Sequence, residues 1–268
     1  MSIIGSYISL FLYLLCTLGL VLRLQGKALF ANKTISLLLV PGFIAVIFHF
    51  SSLYSNLATD VGLQFGFFNA MSTVGAILSL LILLMSLRRQ TELLAALILP
   101  VTAATIVLET IFPTTHMLPP DTPTGLQLHV LISIIAYSLL GLAALLSIIL
   151  AIQNRLLHNH HTGGLLRHLP PLQIMEKLLF DSITAGFIGL SLALISGFIF
   201  LENIFAQHLV HKTILAIFAW SVFGILLLGR VIMGWRGRKA IRWTLTGFVS
   251  LMLAYFGSKF VLEFIILN

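Results

Sequence analysis

Charged side chains are scarce in this chain, although a water-soluble surface depends on them. Asp, Glu, Lys and Arg together make up 9% of the 268 residues, whereas apolar residues make up 59%, and the mean hydropathy is +1.09. So few charges cannot cover the surface of a soluble domain of this size. The composition therefore excludes a soluble globular protein and predicts one that is embedded in a lipid bilayer.

Cysteine and the common catalytic motifs are nearly absent as well. Cys16 is the only cysteine and lies within an apolar run, so it can form neither an internal disulfide nor a CxxC redox pair. The sequence contains no GxxxxGK[ST] loop, no GxGxxG turn and no HExxH helix. Nucleotide-driven transport and zinc-protease chemistry are therefore unsupported, and we expect a protein that is not an enzyme.

Long apolar runs are what the sequence does contain. A membrane-crossing helix needs about 20 mainly apolar residues, whereas a transmembrane strand is shorter and alternates polar with apolar residues. The runs therefore predict an all-α, polytopic membrane helix bundle that forms a single domain over residues 1–268. The eight predicted transmembrane helices are 3–22, 34–53, 65–87, 93–112, 126–152, 183–201, 213–233 and 243–266.

Basic residues are distributed asymmetrically around these runs. Thirteen of the 15 Lys and Arg residues lie in or beside the first, third, fifth and seventh gaps. Short loops rich in Lys and Arg remain in the cytoplasm, so the pattern predicts a multi-pass protein of the bacterial inner membrane with both termini outside. No basic patch is separable from these loops, which argues against a nucleic-acid partner and leaves membrane lipids as the expected surroundings.

Two histidines within the predicted spans are the candidate ligand residues. His49 lies near the outward end of the second span and His129 near the outward start of the fifth, both about 6 Å deep by helix rise. Ionisable residues inside membrane helices usually face a functional interior. Two neutral imidazoles on different helices would suit the iron of haem, one on each face. The alternative is that each histidine only forms a hydrogen bond to a neighbouring helix.

Four further residues near the predicted outer face are accessory candidates. Lys259 and Glu263 stand four residues apart in the last span, where they either neutralise each other or place the lysine against a haem propionate. His208 and His211 lie in the sixth gap. The same polar groups also suit an outer-leaflet cavity for an ion or small solute, as in a transporter or a regulatory partner of one.

Several segments resemble the CcsA-type cytochrome c assembly family, and the Phe48-His49 pair resembles the YpjD branch within it. The match extends from about residue 124 to the C-terminal end and follows the family's order and spacing. The segments are TGLQLHV at 124–130, AY at 136–137, MEKL at 175–178, SG at 196–197, GWRGRK at 234–239 and AYFGS at 254–258.

This resemblance implies a protein that handles haem or another tetrapyrrole. His129 corresponds to a haem-ligand position of the family, whereas segment 202–212 lacks the tryptophans and aspartate of the family's Trp-x-Trp-Asp core. Leu228 stands where the family has a histidine. The resemblance therefore implies haem handling without direct ligation of cytochrome c. HemX-type relatives imply an alternative, a scaffold or regulator of tetrapyrrole biosynthesis that contacts other membrane proteins through residues 234–242.

Overall fold

The computed structural model divides the chain into two compact units. The first comprises Met1–Asp121 with Gly163–Pro170, and the second comprises Thr122–Thr162 with Pro171–Asn268. We describe each unit by itself, and the single membrane domain expected from the sequence stays a prediction. The residues that the structure describes are 2–27, 34–59, 62–64, 66–88, 91–112, 117–118, 123–159, 163, 167–200 and 207–257.

The first unit is built from four long helices and a small sheet. The helices pack in a ring in which α1 contacts α2 and α4, and α3 contacts the same two helices. At one end of the ring Arg23 forms an ion pair with Glu92 at 3.1 Å, which ties the end of α1 to the start of α4. The helices are α1 (Ser2–Leu24), α2 (Ile35–Leu57), α3 (Phe67–Arg88) and α4 (Glu92–Ile111).

Three short antiparallel strands were not expected from the sequence. They are β1 (Ala58–Thr59), β2 (Gly62–Gln64) and β3 (Met117–Leu118), in the order β1-β2-β3. They belong to the gaps that follow α2 and α4. Backbone groups that leave a helix still need hydrogen-bond partners, and this pairing supplies them without changing the helical character of the spans.

The second unit is also a ring of four helices. In this ring α5 contacts α6 and α8, and α7 contacts the same two helices. Gly186 and Gly189 of α6 allow α5 to approach closely, since a Cβ atom at Gly189 would lie 3.0 Å from the Cβ atom of Ala136. Small residues at such crossings are typical of membrane helix pairs. The helices are α5 (Thr124–His158), α6 (Leu172–Phe200), α7 (Gln207–Met233) and α8 (Arg238–Met252), which continues into a π-helical turn (Leu253–Gly257).

Seven helices of the described chain are long and apolar enough to cross a membrane, by length and composition. The eighth predicted span, 243–266, overlaps α8 and its π-helical turn, but residues 258–268 lie outside the described residues, so eight spans stay a prediction. The seven candidate spans are Ile3–Leu24, Ile35–Ser55, Phe67–Leu87, Glu92–Ile111, Thr124–His158, Leu172–Phe200 and Val210–Met233.

The bounds of two helices differ from the sequence prediction. The predicted sixth span begins at residue 183, whereas α6 begins at Leu172. The extra turns are helical because Met175, Leu178 and Leu179 are buried on one face of α6, which is the spacing of an amphipathic helix. The predicted seventh span begins at residue 213, whereas α7 begins at Gln207. Hydropathy alone therefore underestimates the lengths of α6 and α7, because their first turns carry polar residues at the membrane boundary.

Candidate functional site

His49 lies in the interior of the first unit, with 1% of its surface exposed. Its Nε2 atom is 2.9 Å from the Oγ atom of Ser72 on α3. Its Nδ1 atom is 3.3 Å from the hydroxyl oxygen of Tyr13 on α1, and the two rings meet edge to face with centroids 5.8 Å apart. Both ring nitrogens of His49 are therefore engaged within this unit, and the side chain links three helices.

The interior around His49 is unusually polar for a membrane bundle. Ser6 and Ser52 share a hydrogen bond of 2.6 Å between α1 and α2, and Ser79 donates one of 2.8 Å to Thr102 between α3 and α4. Hydroxyl groups inside membrane bundles commonly connect helices in this way. The polar interior is therefore consistent with the alternative left open by the sequence, in which His49 connects helices through hydrogen bonds.

Glu109 is a buried carboxylate that the sequence reasoning did not single out. It lies in α4 with 7% of its surface exposed and interacts with other residues of the structure. A signal was present, because Glu109 is the only charged residue in the predicted span 93–112. An ionisable residue inside a membrane helix indicates a paired or functional position.

His129 has a different environment, between α5 and α6 of the second unit. Its Nδ1 atom is 3.0 Å from the Oγ atom of Ser196, and Ser196 donates its hydroxyl proton to the carbonyl oxygen of Ala193 at 2.9 Å. A serine hydroxyl has only one proton to donate, so Ser196 must accept the hydrogen bond from His129. The proton of the neutral imidazole is thereby placed on Nδ1, and the lone pair is placed on Nε2.

The Nε2 atom of His129 is the available ligand atom of this pair. In the described part of the chain, the ring has hydrogen-bond contacts with Ser196, through Nδ1, and with the backbone of Ala193, and the side chain is partly exposed. A neutral imidazole whose Nδ1–H is held by a second residue is the usual form of a metal-bound histidine. His129 therefore fits an axial ligand of haem iron, whereas His49 would first have to give up a hydrogen bond.

The side chains of the described residues limit which kinds of metal the protein could bind. Within the described ranges, no group of three or more His, Cys, Asp or Glu side chains converges on one point. Such a group is what a protein site for zinc or another bare transition metal requires. Haem iron needs only one or two axial ligands from the protein, so the described residues are compatible with haem.

Of the four accessory candidates, the structure describes His208 and His211 but not Lys259 and Glu263, which lie outside the described residues. His208 and His211 were expected in a loop, but both belong to the first turns of α7, and the side chain of His211 is exposed. That loop assignment is corrected, because the polar start of α7 is helical.

Comparison with known proteins shows to which family this chain belongs. Residues 37–266 match the family model described as cytochrome C assembly protein. This chain belongs to the cytochrome c assembly protein family. The resemblance found in the sequence is therefore confirmed over most of the chain, beyond the segment from residue 124 onward.

Three relatives place the chain within this family. It is 28% identical to the inner membrane protein YpjD of Escherichia coli (strain K12) over 229 residues, which cover 85% of this chain and 87% of YpjD. It is 34% identical to an uncharacterised protein of Azospirillum brasilense over 140 residues, 52% of each chain. The cytochrome c biogenesis protein CcsA of Chlamydomonas reinhardtii is 28% identical over 140 residues, 52% of this chain and 38% of CcsA. No solved structure matches the chain.

Family membership and the apolar helices together define the class of protein. A relative named as an inner membrane protein aligns over nearly the whole chain, and seven described helices have the length and composition of membrane spans. The chain is therefore a multi-pass inner-membrane protein of the cytochrome c assembly family.

Proposed function

We propose that this protein binds or transfers haem within the inner membrane and is not an enzyme. The observation that supports the proposal best is the His129–Ser196 pair, because it leaves a lone pair on Nε2 of a histidine in a membrane helix. Family membership supports the same conclusion, since a related protein is named for cytochrome c biogenesis. Bound haem would supply the iron centre, while Ser196 orients the ligand and fixes its tautomer.

His49 is the second axial ligand in this proposal. Its imidazole would bind iron through Nε2 after releasing the hydroxyl of Ser72, or through Nδ1 after releasing Tyr13. Either exchange replaces one hydrogen bond of modest net free energy, about 1 kcal/mol, by a metal–nitrogen bond. The hydrogen bond that remains would then orient the ring, as Ser196 does for His129.

The proposed topology follows from the basic residues at the helix ends. Arg23 and Arg155 lie near the C-terminal ends of α1 and α5, and Arg230 lies in the last turn of α7. Arg236 lies in the turn that leads into α8, and Arg238 is the first residue of α8. Under the positive-inside rule these ends would face the cytoplasm, so we propose that both termini lie outside and that His49 and His129 lie toward the outer leaflet.

We further propose that the protein does not itself attach haem to cytochrome c. Segment 202–212 lacks the tryptophans and aspartate of the Trp-x-Trp-Asp core, so it offers no indole surface for a porphyrin edge. Expression of this chain in a strain without its CcsA-type ligase should not restore covalent c-type cytochromes. Restored maturation would contradict this part of the proposal.

The deciding experiment is an absorption spectrum of the detergent-purified protein with and without added haem. A bis-histidine site predicts a Soret band and the sharp visible bands of six-coordinate, low-spin haem. A site with His129 alone predicts a five-coordinate spectrum. A protein that neither contains haem nor takes it up would contradict the proposed function.

A second candidate function belongs to the transport class. The observation that favours it is the polar interior of the first unit, where Glu109 is buried in α4 and serine and threonine hydroxyls connect the helices. Such an interior suits a site for a proton or cation, or a regulatory contact with a transporter. Cation-dependent protection of the purified protein against thermal unfolding, lost in Glu109→Gln, would favour this candidate over haem binding.

A third candidate is a scaffold or regulator of tetrapyrrole biosynthesis. The turn that precedes α8 is held by Glu176, which forms an ion pair with Arg236 at 2.6 Å and accepts a hydrogen bond from the backbone N–H of Gly237 at 3.1 Å. An ordered basic turn suits a contact with the acidic surface of another membrane protein or enzyme. Crosslinking from Lys239 to a tetrapyrrole-pathway enzyme in cells would support this candidate.

A further inference from the structure

A basic cavity lies between α5 and α8 in the second unit. The two helices run antiparallel, since Tyr137 of α5 meets Phe248 with ring centroids 5.3 Å apart, while the end of α5 meets the start of α8. The cavity at this end has a volume of about 270 Å³. Arg155 and His158 line it from α5, and Arg238 and Arg242 line it from α8. We refer to it as the α5–α8 cavity.

The three guanidinium groups of this cavity lack partners within the described part of the chain. No described residue forms an ion pair or hydrogen bond with the side chain of Arg155, Arg238 or Arg242, and no carboxylate lines the cavity. By contrast, Arg236 on the preceding turn is paired with Glu176. Cations that gather around one cavity without a counter-charge repel one another, so an anion bound there would relieve the repulsion.

An apolar track continues from the cavity along α8. Val249 of α8 is exposed on the same helical face as Arg242, seven residues further along, with the exposed Thr246 between them. Leu253 of the following π-helical turn is exposed as well. Ala151, Asn154 and Ile241 also line the cavity. The surface therefore combines a cationic end with an apolar strip, and the matching ligand is amphiphilic.

We propose that the α5–α8 cavity binds the phosphate group of an anionic phospholipid, with an acyl chain lying along α8. Arginine suits this role because its planar guanidinium donates two parallel hydrogen bonds to phosphate oxygens. Basic pockets between membrane helices on the cytoplasmic side bind anionic lipid head groups, and the proposed topology puts the cavity on that side. The site is independent of haem binding, because it uses neither His49 nor His129.

The test uses the full-length chain, delipidated in detergent, and counts bound lipid by native mass spectrometry. The protein is titrated with dioleoylphosphatidylglycerol, with dioleoylphosphatidylcholine and with inorganic phosphate. The test variant is Arg155→Gln with Arg242→Gln. The control is Lys177→Gln with Lys239→Gln, which removes the same charge from exposed positions outside the cavity.

The expected result is preferential binding of phosphatidylglycerol that weakens about fivefold for each cavity arginine removed and changes little in the control. Equal binding of the two lipids would overturn the proposal, and so would an equal loss in the control pair. Inorganic phosphate that binds as tightly as phosphatidylglycerol would also overturn it, because the acyl chain would then contribute nothing. Thermal unfolding checks that each variant is folded, and the single Arg242→Gln change repeats the test if the double variant is not.

Discussion

The Nε2 atom of His49 lies 2.9 Å from the Oγ atom of Ser72 and its Nδ1 atom lies 3.3 Å from the hydroxyl oxygen of Tyr13, so both ring nitrogens already have partners. His129 differs, because its partner Ser196 holds Nδ1. The two histidines looked equivalent by residue type and depth. The structure gives them different environments, because both ring nitrogens of His49 have side-chain partners, whereas His129 has one side-chain partner, Ser196.

The first prediction concerns the orientation of His129. Ser196→Ala removes the acceptor that fixes the Nδ1–H tautomer, so haem affinity should fall by about 10- to 100-fold, and His129→Ala should abolish the axial bond from this residue. Titration of the purified variants with haem, followed at the Soret band, measures both effects. His211→Ala is the control, because it removes an exposed imidazole from the start of α7. Unchanged haem binding in both the His129 and the Ser196 variants would rule out His129 as a ligand.

The second prediction distinguishes the two roles of His49. If His49 is an axial ligand, Ser72→Ala frees its Nε2 atom and haem binds at least as tightly as in the wild type, whereas His49→Ala turns a low-spin haem into a five-coordinate one. If His49 only connects helices, both substitutions lower the free energy of unfolding by about 1–3 kcal/mol and leave the haem spectrum unchanged. Resonance Raman or visible spectra report the spin state, and thermal unfolding reports the stability.

The sequence predicted the spans well because the bilayer fixes the length and polarity of any helix that crosses it. It predicted span bounds that are too short at the membrane boundary, where α6 begins at Leu172 and α7 at Gln207, since hydropathy does not register helical turns that carry polar residues. The amphipathic pattern around residues 172–180 did indicate the first turns of α6. The sequence singled out His129 as a candidate from its position, which stays a prediction, but it could not assign a tautomer. That assignment depends on Ser196, which lies 67 positions away in sequence on another helix.

The third prediction concerns topology, which depends on the distribution of Lys and Arg. Reporter fusions at Lys33, Arg89, Arg167 and Arg238 should all report a cytoplasmic location, because each position follows a predicted outward-to-inward span. Fusions within segment 202–206 should report the opposite side. A single outward result at any of the four basic positions would require a different number of spans or the reverse orientation.

The last prediction concerns the close approach of α5 and α6, on which the His129–Ser196 hydrogen bond depends. In Gly186→Ala with Gly189→Ala, the new Cβ atoms would lie 2.7 Å from side-chain carbons of Leu140 and 3.0 Å from the Cβ atom of Ala136. Such overpacking typically lowers the free energy of unfolding by about 1–3 kcal/mol.

Gly224→Ala on α7 is the matched control, since its Cβ atom would meet the ring of Phe187 at an ordinary 3.5 Å. Each Gly→Ala change gains about 1 kcal/mol of helix propensity, so the α6 double variant gains more than the control, and a melting temperature below that of Gly224→Ala can come only from the packing cost. Haem titration of the same protein extends the test, because helices forced apart should lengthen the bond between Ser196 and His129 and weaken haem binding along with stability. A melting temperature equal to or above that of the Gly224 variant would show that α5 and α6 tolerate separation. The glycine contacts would then not be what holds His129 in place.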